Sequence, residues 1–497
     1  MQIEEYRIHL ERFEASLNRE LYHFYSGHKD FPQVSSVYSE YSDLYSRDTL
    51  REIDSEIERI PEALSSRRKS LEKIRCFATQ HRLEAACAQC AEEIARRESA
   101  GSATWKGREI PSAQIASHLA NETDPSERRR LEVLRRDLLA QVDPLRRQLL
   151  EAQHDESVKL GFGSYLGARQ YISGIDYRRL STEFERALED STQEYLSCLE
   201  RSLLNSLNLP LSGAQDCDVP SWISANEARA PFRQDLLLPA LSATLSGLAI
   251  EPERREAIKL ERELRPRGPS GAFCIPIGIP DQVVIVASAQ QGCQGYADLL
   301  HESGHAHHFA WTSPTLAAEH RLYGDRGLAE LYGFLFEHLL WNDAWLQEML
   351  GYLSSHEFLR FQALHRAYTV RYHLGLLVYE IQLYAGKGCS GAPERYAECL
   401  KARTAIEHAP EAYLENWAQS LSSADYLRAW ICEAMMHEHI RTKWGTAWFR
   451  EKAAGRFFKE LWETGQLYSL DQLCSELGLG ELNPEALTDQ LREGLRS

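Results

Sequence analysis

The chain has 497 residues, 43% apolar and 26% charged, which excludes a disordered polymer and allows about two to four structural units or one large two-lobed body. Its 56 basic and 73 acidic residues leave a formal net charge of −17, which argues against a nucleic-acid partner and does little to draw the protein to an anionic membrane.

From the N-terminus, residues 1–20 are charged and amphipathic with no apolar leader. The longest weakly polar stretch, residues 236–250, contains Pro239 and falls short of the ~18 residues a membrane span needs. The expected location is therefore cytoplasmic. Eleven scattered Cys fit free thiols in a reducing compartment, and Cys87 and Cys90, though spaced as CxxC, lie in a helical pattern as core residues.

The first two hundred residues read as almost entirely helical, with apolar steps of three and four such as Leu10, Phe13, Leu17, Leu21 and Phe24. Asp124-Pro125-Ser126-Glu127 predicts a helix start, with a cap and then Pro in the first turn. The basic runs Arg128-Arg129-Arg130 and Arg146-Arg147 read as solvated faces. Residues 206–234 lose periodicity around Pro210, Gly213, Pro220 and Pro231 and read as a linker. Strand signals are confined to about residues 257–289, chiefly Ala272–Ile277 and Val283–Val286 around a turn at Pro280-Asp281. Pro276 lacks a ladder donor and marks an edge strand, a place where a peptide backbone could add. The expected organisation is an N-terminal helical region over 1–205, a linker and helical connection over 206–255, and a zinc region over 256–497.

Directly after the strands comes His301-Glu302-Ser303-Gly304-His305. Two His at i and i+4 share one helix face and reach one ion, and Glu302 lies beside that face, placed as a general base. Two imidazoles and a carboxylate suit one Zn²⁺ per chain. With 18 His and 73 acids, composition alone gives about 0.1 such motifs, so context has to carry the reading. The downstream acids are Glu319, Asp325, Glu330 and Glu337. Glu330 sits in an apolar helical stretch where a buried carboxylate needs a partner. Asp325 is the alternative third ligand, 20 residues after His305, near the spacing of thermolysin-like enzymes.

The run Tyr296-Ala297-Asp298-Leu299-Leu300-His301-Glu302-Ser303-Gly304-His305-Ala306-His307-His308 resembles the zinc helix of the thimet oligopeptidase and oligoendopeptidase F family of metallopeptidases, gluzincins of the form HExxH…E. The resemblance is clear over residues 255–340 and looser, as helical pattern, to about 460. It implies Glu330 as the third metal ligand, Glu337 as a supporting carboxylate seven residues on, and a mainly α, two-lobed body with a deep channel and one small β-sheet next to the zinc helix. It also implies hydrolysis of short peptides with Glu302 as base. The family's tyrosine helix corresponds to residues 422–430, where Tyr426 is the one Tyr and is expected to stabilise the transition state, with Arg428 beside it for substrate carboxylates. Asp298 and His308 are expected to support the metal ligands. Tyr368, Arg371, Tyr372, Tyr379 and Glu380 form an aromatic, charged helix read mainly as core, with Tyr372 as the candidate facing substrate. Two other readings stay open: a processing peptidase for one precursor or small peptide, and a peptide-binding protein that has lost activity, against which the intact Glu302 speaks.

Overall fold

The apolar spacing of the N-terminal half produces long helices, among them Ile3–Tyr25, Ser65–Ala100 and Pro125–Lys159. Leu10 and Phe13 are buried among Ile53, Ile74 and Phe77, which joins Ile3–Tyr25, the shorter helix Arg47–Arg59 and Ser65–Ala100 into one apolar cluster. The computed structural model describes residues 3–61, 64–226, 230–250, 256–262, 271–287, 292–353, 356–386 and 388–496. Of the stretches singled out above, residues 263–270 and 288–289 of the strand-rich region and the boundary at residue 255 lie outside the described residues. The molecule is mainly α, as expected, with two small sheets among the described residues.

The start of Pro125–Lys159 is as the sequence predicts: the Asp124 side chain accepts a hydrogen bond from the Ser126 N–H, with Pro125 in the first turn. The basic runs are solvated only in part: Arg130 and Arg147 are exposed as expected, but one arginine of each run is not. Arg128 is fully buried, its Nε 2.8 Å from Asp218 Oδ1, and Arg146 is buried against Glu98 at 2.6 Å. Charge patterning along the chain cannot reveal such pairs, because each partner lies tens of residues away. A hairpin also interrupts the helices: β1 (Ser102–Trp105) pairs antiparallel with β2 (Arg108–Pro111). Its turn is Lys106-Gly107, both with positive φ (48° and 76°), the geometry a two-residue hairpin turn requires.

All eleven Cys are free thiols. Cys87 and Cys90 face the Leu149 and Leu145 carbonyls of the neighbouring helix, and burial pushes the Cys87 thiol up to about 12, so both serve packing. Residues 211–226 form short helical turns whose Val219 and Trp222 enter the same core as Leu199 and Tyr368. Among the described residues no helix is long and apolar enough to cross a membrane.

The second sheet positions the site. Its strands are β3 (Ile258–Glu261), β4 (Phe273–Gly278) and β5 (Gln282–Val286), in the order β3-β5-β4, with β3 parallel and β4 antiparallel to β5. Pro276 does lie on an edge strand. Alternation splits the sheet's two faces. Val283 and Ile285 join the core of the helix that follows, Gly292–Trp311, while Ile275, Ile277, Val284 and Val286 form a cluster with Tyr22 and Tyr25 of the N-terminal helix. That helix is also tied down by polar contacts: Arg7 bonds both oxygens of the buried Glu319, Asn18 Nδ2 donates to the Pro276 carbonyl at 2.9 Å, and Tyr22 donates to Glu261 at 2.6 Å.

Candidate metal centre

The helix Gly292–Trp311 is buried on most sides. Its half-buried positions are Gln294, Ala297, Asp298, His301, Glu302, His305 and Phe309, a stripe at helical spacing that carries both His and the Glu of the motif. Facing it is the helix Arg326–Glu337, started by Asp325, whose side chain accepts from the Gly327 N–H. Glu330 and Glu337 lie two turns apart on this second helix and so share a face.

The two helices approach at contact distance because glycines stand between them. A Cβ on Gly304 would lie 2.1 Å from the Tyr332 carbonyl oxygen, and a Cβ on Gly333 would lie 2.7–2.8 Å from three ring atoms of His301. The two substitutions separate cleanly. Gly304→Ala opposes backbone to methyl, so its cost falls on the whole fold, about 1–3 kcal/mol or more. Gly333→Ala meets a movable ring, so it is expected to displace His301 and weaken metal binding about 10–100-fold with a smaller loss of stability. Metal content after dialysis and thermal melting, read together, check this.

The approach brings three donors together. His301 Nε2 lies 3.0 Å from His305 Nε2 and 3.4 Å from Glu330 Oε2, and His305 Nε2 lies 3.8 Å from the same oxygen. Nitrogen and oxygen donors on a tetrahedral zinc at 2.0–2.2 Å stand about 3.3 Å apart, so this triangle has the size a zinc ion requires. Their second nitrogens are turned away: His301 Nδ1 is 3.2 Å from Glu337 Oε2, and His305 Nδ1 faces the Ala329 carbonyl at a geometry short of a full hydrogen bond. Burial disfavours charge on both rings, but hydrogen bonds to Glu330 and Glu337 overrule it at His301 and hold that imidazole well above the usual range. His305 lacks that support, and burial takes it down to about 4. Burial pushes Glu302 up to about 7, offset in part by His301 and by a hydrogen bond from the Cys274 N–H of β4.

Other candidates are sorted by their partners. Asp325, the alternative ligand, is engaged elsewhere: both its oxygens bond Arg428, at 3.0 and 2.9 Å, and it caps its helix and accepts from the Leu470 N–H. Arg428, expected to meet substrate, is buried in that fork and also bonds Asp471 at 2.6 Å, so it ties three elements together instead. Asp298 accepts from Gln294 one turn earlier, and the group on His301 Nδ1 is Glu337. His308 donates to the Gly465 carbonyl at 3.1 Å, away from the cluster. Tyr372 is bonded to Asn416 and Tyr396, away from the metal donors. Its neighbours do what was expected of a core helix: Arg371 donates to the Leu188 carbonyl, Tyr379 to the Tyr413 carbonyl, and Glu380 accepts from the Leu421 N–H. Tyr426 does stand at the site, half-buried between Phe334, Trp430 and His373, where Glu330 and Glu302 act on its phenol.

Two residues escaped the sequence reading. His373, 5.1 Å from Tyr426 between ring centroids, is hydrogen-bonded through Nδ1 to Ser423. Arg366 bonds Glu337 Oε1 at 2.9 Å. Both lie on the long helix His356–Tyr384, whose mixture of aromatic and charged residues shows no clean apolar stripe. The β4 edge is also less open than its Pro suggests. The Pro276 carbonyl takes Asn18 and the Cys274 N–H takes Glu302, so backbone pairing is blocked at both residues. A second group of potential ligands, Glu132, Asp216 and Cys217, is already served by guanidinium groups, with Arg135 against both carboxylates and Arg129 on the thiol.

No protein-family model and no curated protein sequence matches this chain. Solved structures do. An oligoendopeptidase F of Bacillus anthracis is similar over 93% of this chain and 84% of its own, at 13% identity and a TM-score of 0.69. PZ peptidase A with an inhibitor is similar over 96% and 89%, at 13% identity and a TM-score of 0.71. A carboxypeptidase of Pyrococcus furiosus is similar over 99% and 98%, at 12% identity and a TM-score of 0.60. The resemblance carried by the motif is therefore matched by a likeness over nearly the whole length, and the chain has the fold of the oligoendopeptidase F and PZ peptidase structures.

Proposed function

We propose that this protein is a zinc-dependent peptidase acting on short peptides. The observation that carries this is the convergence of His301, His305 and Glu330 in a zinc-sized triangle with Glu302 on the same half-buried stripe. The fold likeness to proteins named as peptidases supports it.

The chemistry such an ion supplies when bound is Lewis acidity, toward a carbonyl oxygen and toward a water whose pKa it brings to around 7. The chain's own residues do the rest. Glu302 accepts the proton of the attacking water and returns one to the leaving amine, as a carboxylate balanced near neutrality does well. Glu337 receives the Nδ1–H of His301 and so keeps Nε2 turned to the metal position. The Tyr426 phenol donates to the carbonyl oxygen as charge develops there. A channel that admits short peptides and excludes folded proteins belongs to this reading through the fold.

The test is mass spectrometry of products from a mixed short-peptide library and from a stably folded protein, with and without a strong chelator. Cleavage of many peptides, sparing of the folded protein and loss of activity with chelator are expected. Products from a single peptide would favour a specialised processing enzyme, and zinc uptake without any product would favour a binding protein. Parallel metal titrations add a sharper prediction: Glu330→Ala lowers zinc occupancy, whereas Asp325→Ala leaves it unchanged and costs stability through the lost Arg428 pair. The reverse result would move the third ligand to Asp325.

A further inference from the structure

We propose that Arg366 is a positioning residue for the metal centre, fixing the two groups that fix the His301 ring. The proposal rests on the zinc reading above.

The His301 imidazole is held from two sides. Glu337 Oε2 meets Nδ1 at 3.2 Å, and the Phe334 ring stands edge-on with centroids 4.9 Å apart. Arg366 holds both of these groups. Its Nη2 donates to the other oxygen of Glu337 at 2.9 Å, and its guanidinium lies over Phe334 at 5.3 Å. The guanidinium is itself enclosed, 5.2 Å from the Trp341 ring and 5.3 Å from the Trp430 ring, and the residue is 8% exposed. Rings on several sides suit a flat, weakly hydrated cation and leave it little freedom to turn.

Glu337 has two oxygens, and with Arg366 on Oε1 the other, Oε2, is turned to His301 Nδ1. Without that guanidinium the Glu337 side chain can rotate about its own bonds, and the His301 ring loses the fixed acceptor that keeps Nε2 turned to the metal position. Trp430, on the helix that carries Tyr426, is part of the same enclosure, so this one guanidinium also touches that helix.

Zinc affinity of the full chain, measured by competition with a chromophoric chelator, tests this in a double-mutant cycle. Arg366→Met is expected to weaken zinc about 10–100-fold, as loss of a ligand's support does. Arg366→Lys, which keeps the charge, should lose less. In a Glu337→Gln background Arg366→Met should cost several-fold less than in the parent, because the carboxylate linking it to Nδ1 is gone and only its contact with Phe334 remains. Equal losses in both backgrounds would mean general packing, and equal losses for Met and Lys would mean the charge is irrelevant. Either result overturns the proposal, as does wild-type affinity in Arg366→Met. Should Arg366→Met fail to fold, the same cycle with Arg366→Lys decides, additive losses overturning it. A wild-type chain that takes up no zinc in this titration would sink the zinc reading itself, a separate outcome.

Discussion

Glu302→Gln is expected to remove peptide hydrolysis, by about 10²–10⁴-fold or more in kcat, while zinc binds as before. The argument is geometric. Glu302 is not among the converging donors, which come from His301, His305 and Glu330, so its loss takes nothing from the metal. Gln keeps the shape and keeps an oxygen for the Cys274 N–H, so the side chain stays where Glu302 is. What it loses is the ability to take a proton. Burial already lifts the Glu302 carboxyl toward neutrality, to about 7, where a base exchanges protons most effectively at physiological pH. The measurement pairs kcat on the best library peptide with zinc content and a thermal melt. Turnover within tenfold of the parent would remove Glu302 as the base, and loss of zinc would mean that it had been a ligand.

The parts of this protein that could be read from the sequence are those whose logic is local. A His-Glu-x-x-His run needs only one helix, and that helix is where the periodicity puts it. The Asp124-Pro125 start of a long helix is local as well. What could not be read depends on distant partners. Arg428 looked available to substrate because its sequence neighbours say nothing of Asp325, 103 residues away, or Asp471, 43 residues away, which together occupy its guanidinium. Arg128 and Arg146 looked solvated for the same reason. On the helix His356–Tyr384 the sequence pointed at Tyr372, but one residue along a helix is a turn of about 100°. The ring that meets Tyr426 is His373, while Tyr372 faces Tyr396. The hairpin at Ser102–Pro111 was missed because its turn is Lys-Gly rather than the more telling Asn-Gly or Asp-Gly. The fold of the N-terminal half was legible only as long helices. Its attachment to the site, through Arg7 on Glu319 and Asn18 on Pro276, spans more than 250 positions and leaves no mark on either segment alone.

Tyr426→Phe is expected to lower kcat by about 3–4 kcal/mol, two to three powers of ten, with little change in KM, zinc content or melting temperature. Peptide hydrolysis places negative charge on the former carbonyl oxygen, and a donor aimed at that oxygen is worth more as the charge grows, so its removal acts on the chemical step. Tyr426 is suited to the task in three respects. Burial raises its pKa, with the charges of Glu330 and Glu302 adding to the effect, so the phenol remains a donor across the working pH range. Its ring is stacked on Trp430 with centroids 6.1 Å apart and leans on Phe334 at 6.3 Å, so the hydroxyl is carried on a fixed support. Phe334 is also the ring that stands edge-on to His301, so one aromatic adjoins both the Tyr426 ring and a metal donor. Phenylalanine retains every one of these ring contacts and deletes only the oxygen. A purely structural Tyr426 would therefore pass unnoticed in this variant: full kcat would assign the residue to the aromatic wall alone. An unchanged kcat with a raised KM would instead make the hydroxyl a ground-state contact to substrate, since uniform binding energy appears in KM and leaves the chemical step untouched.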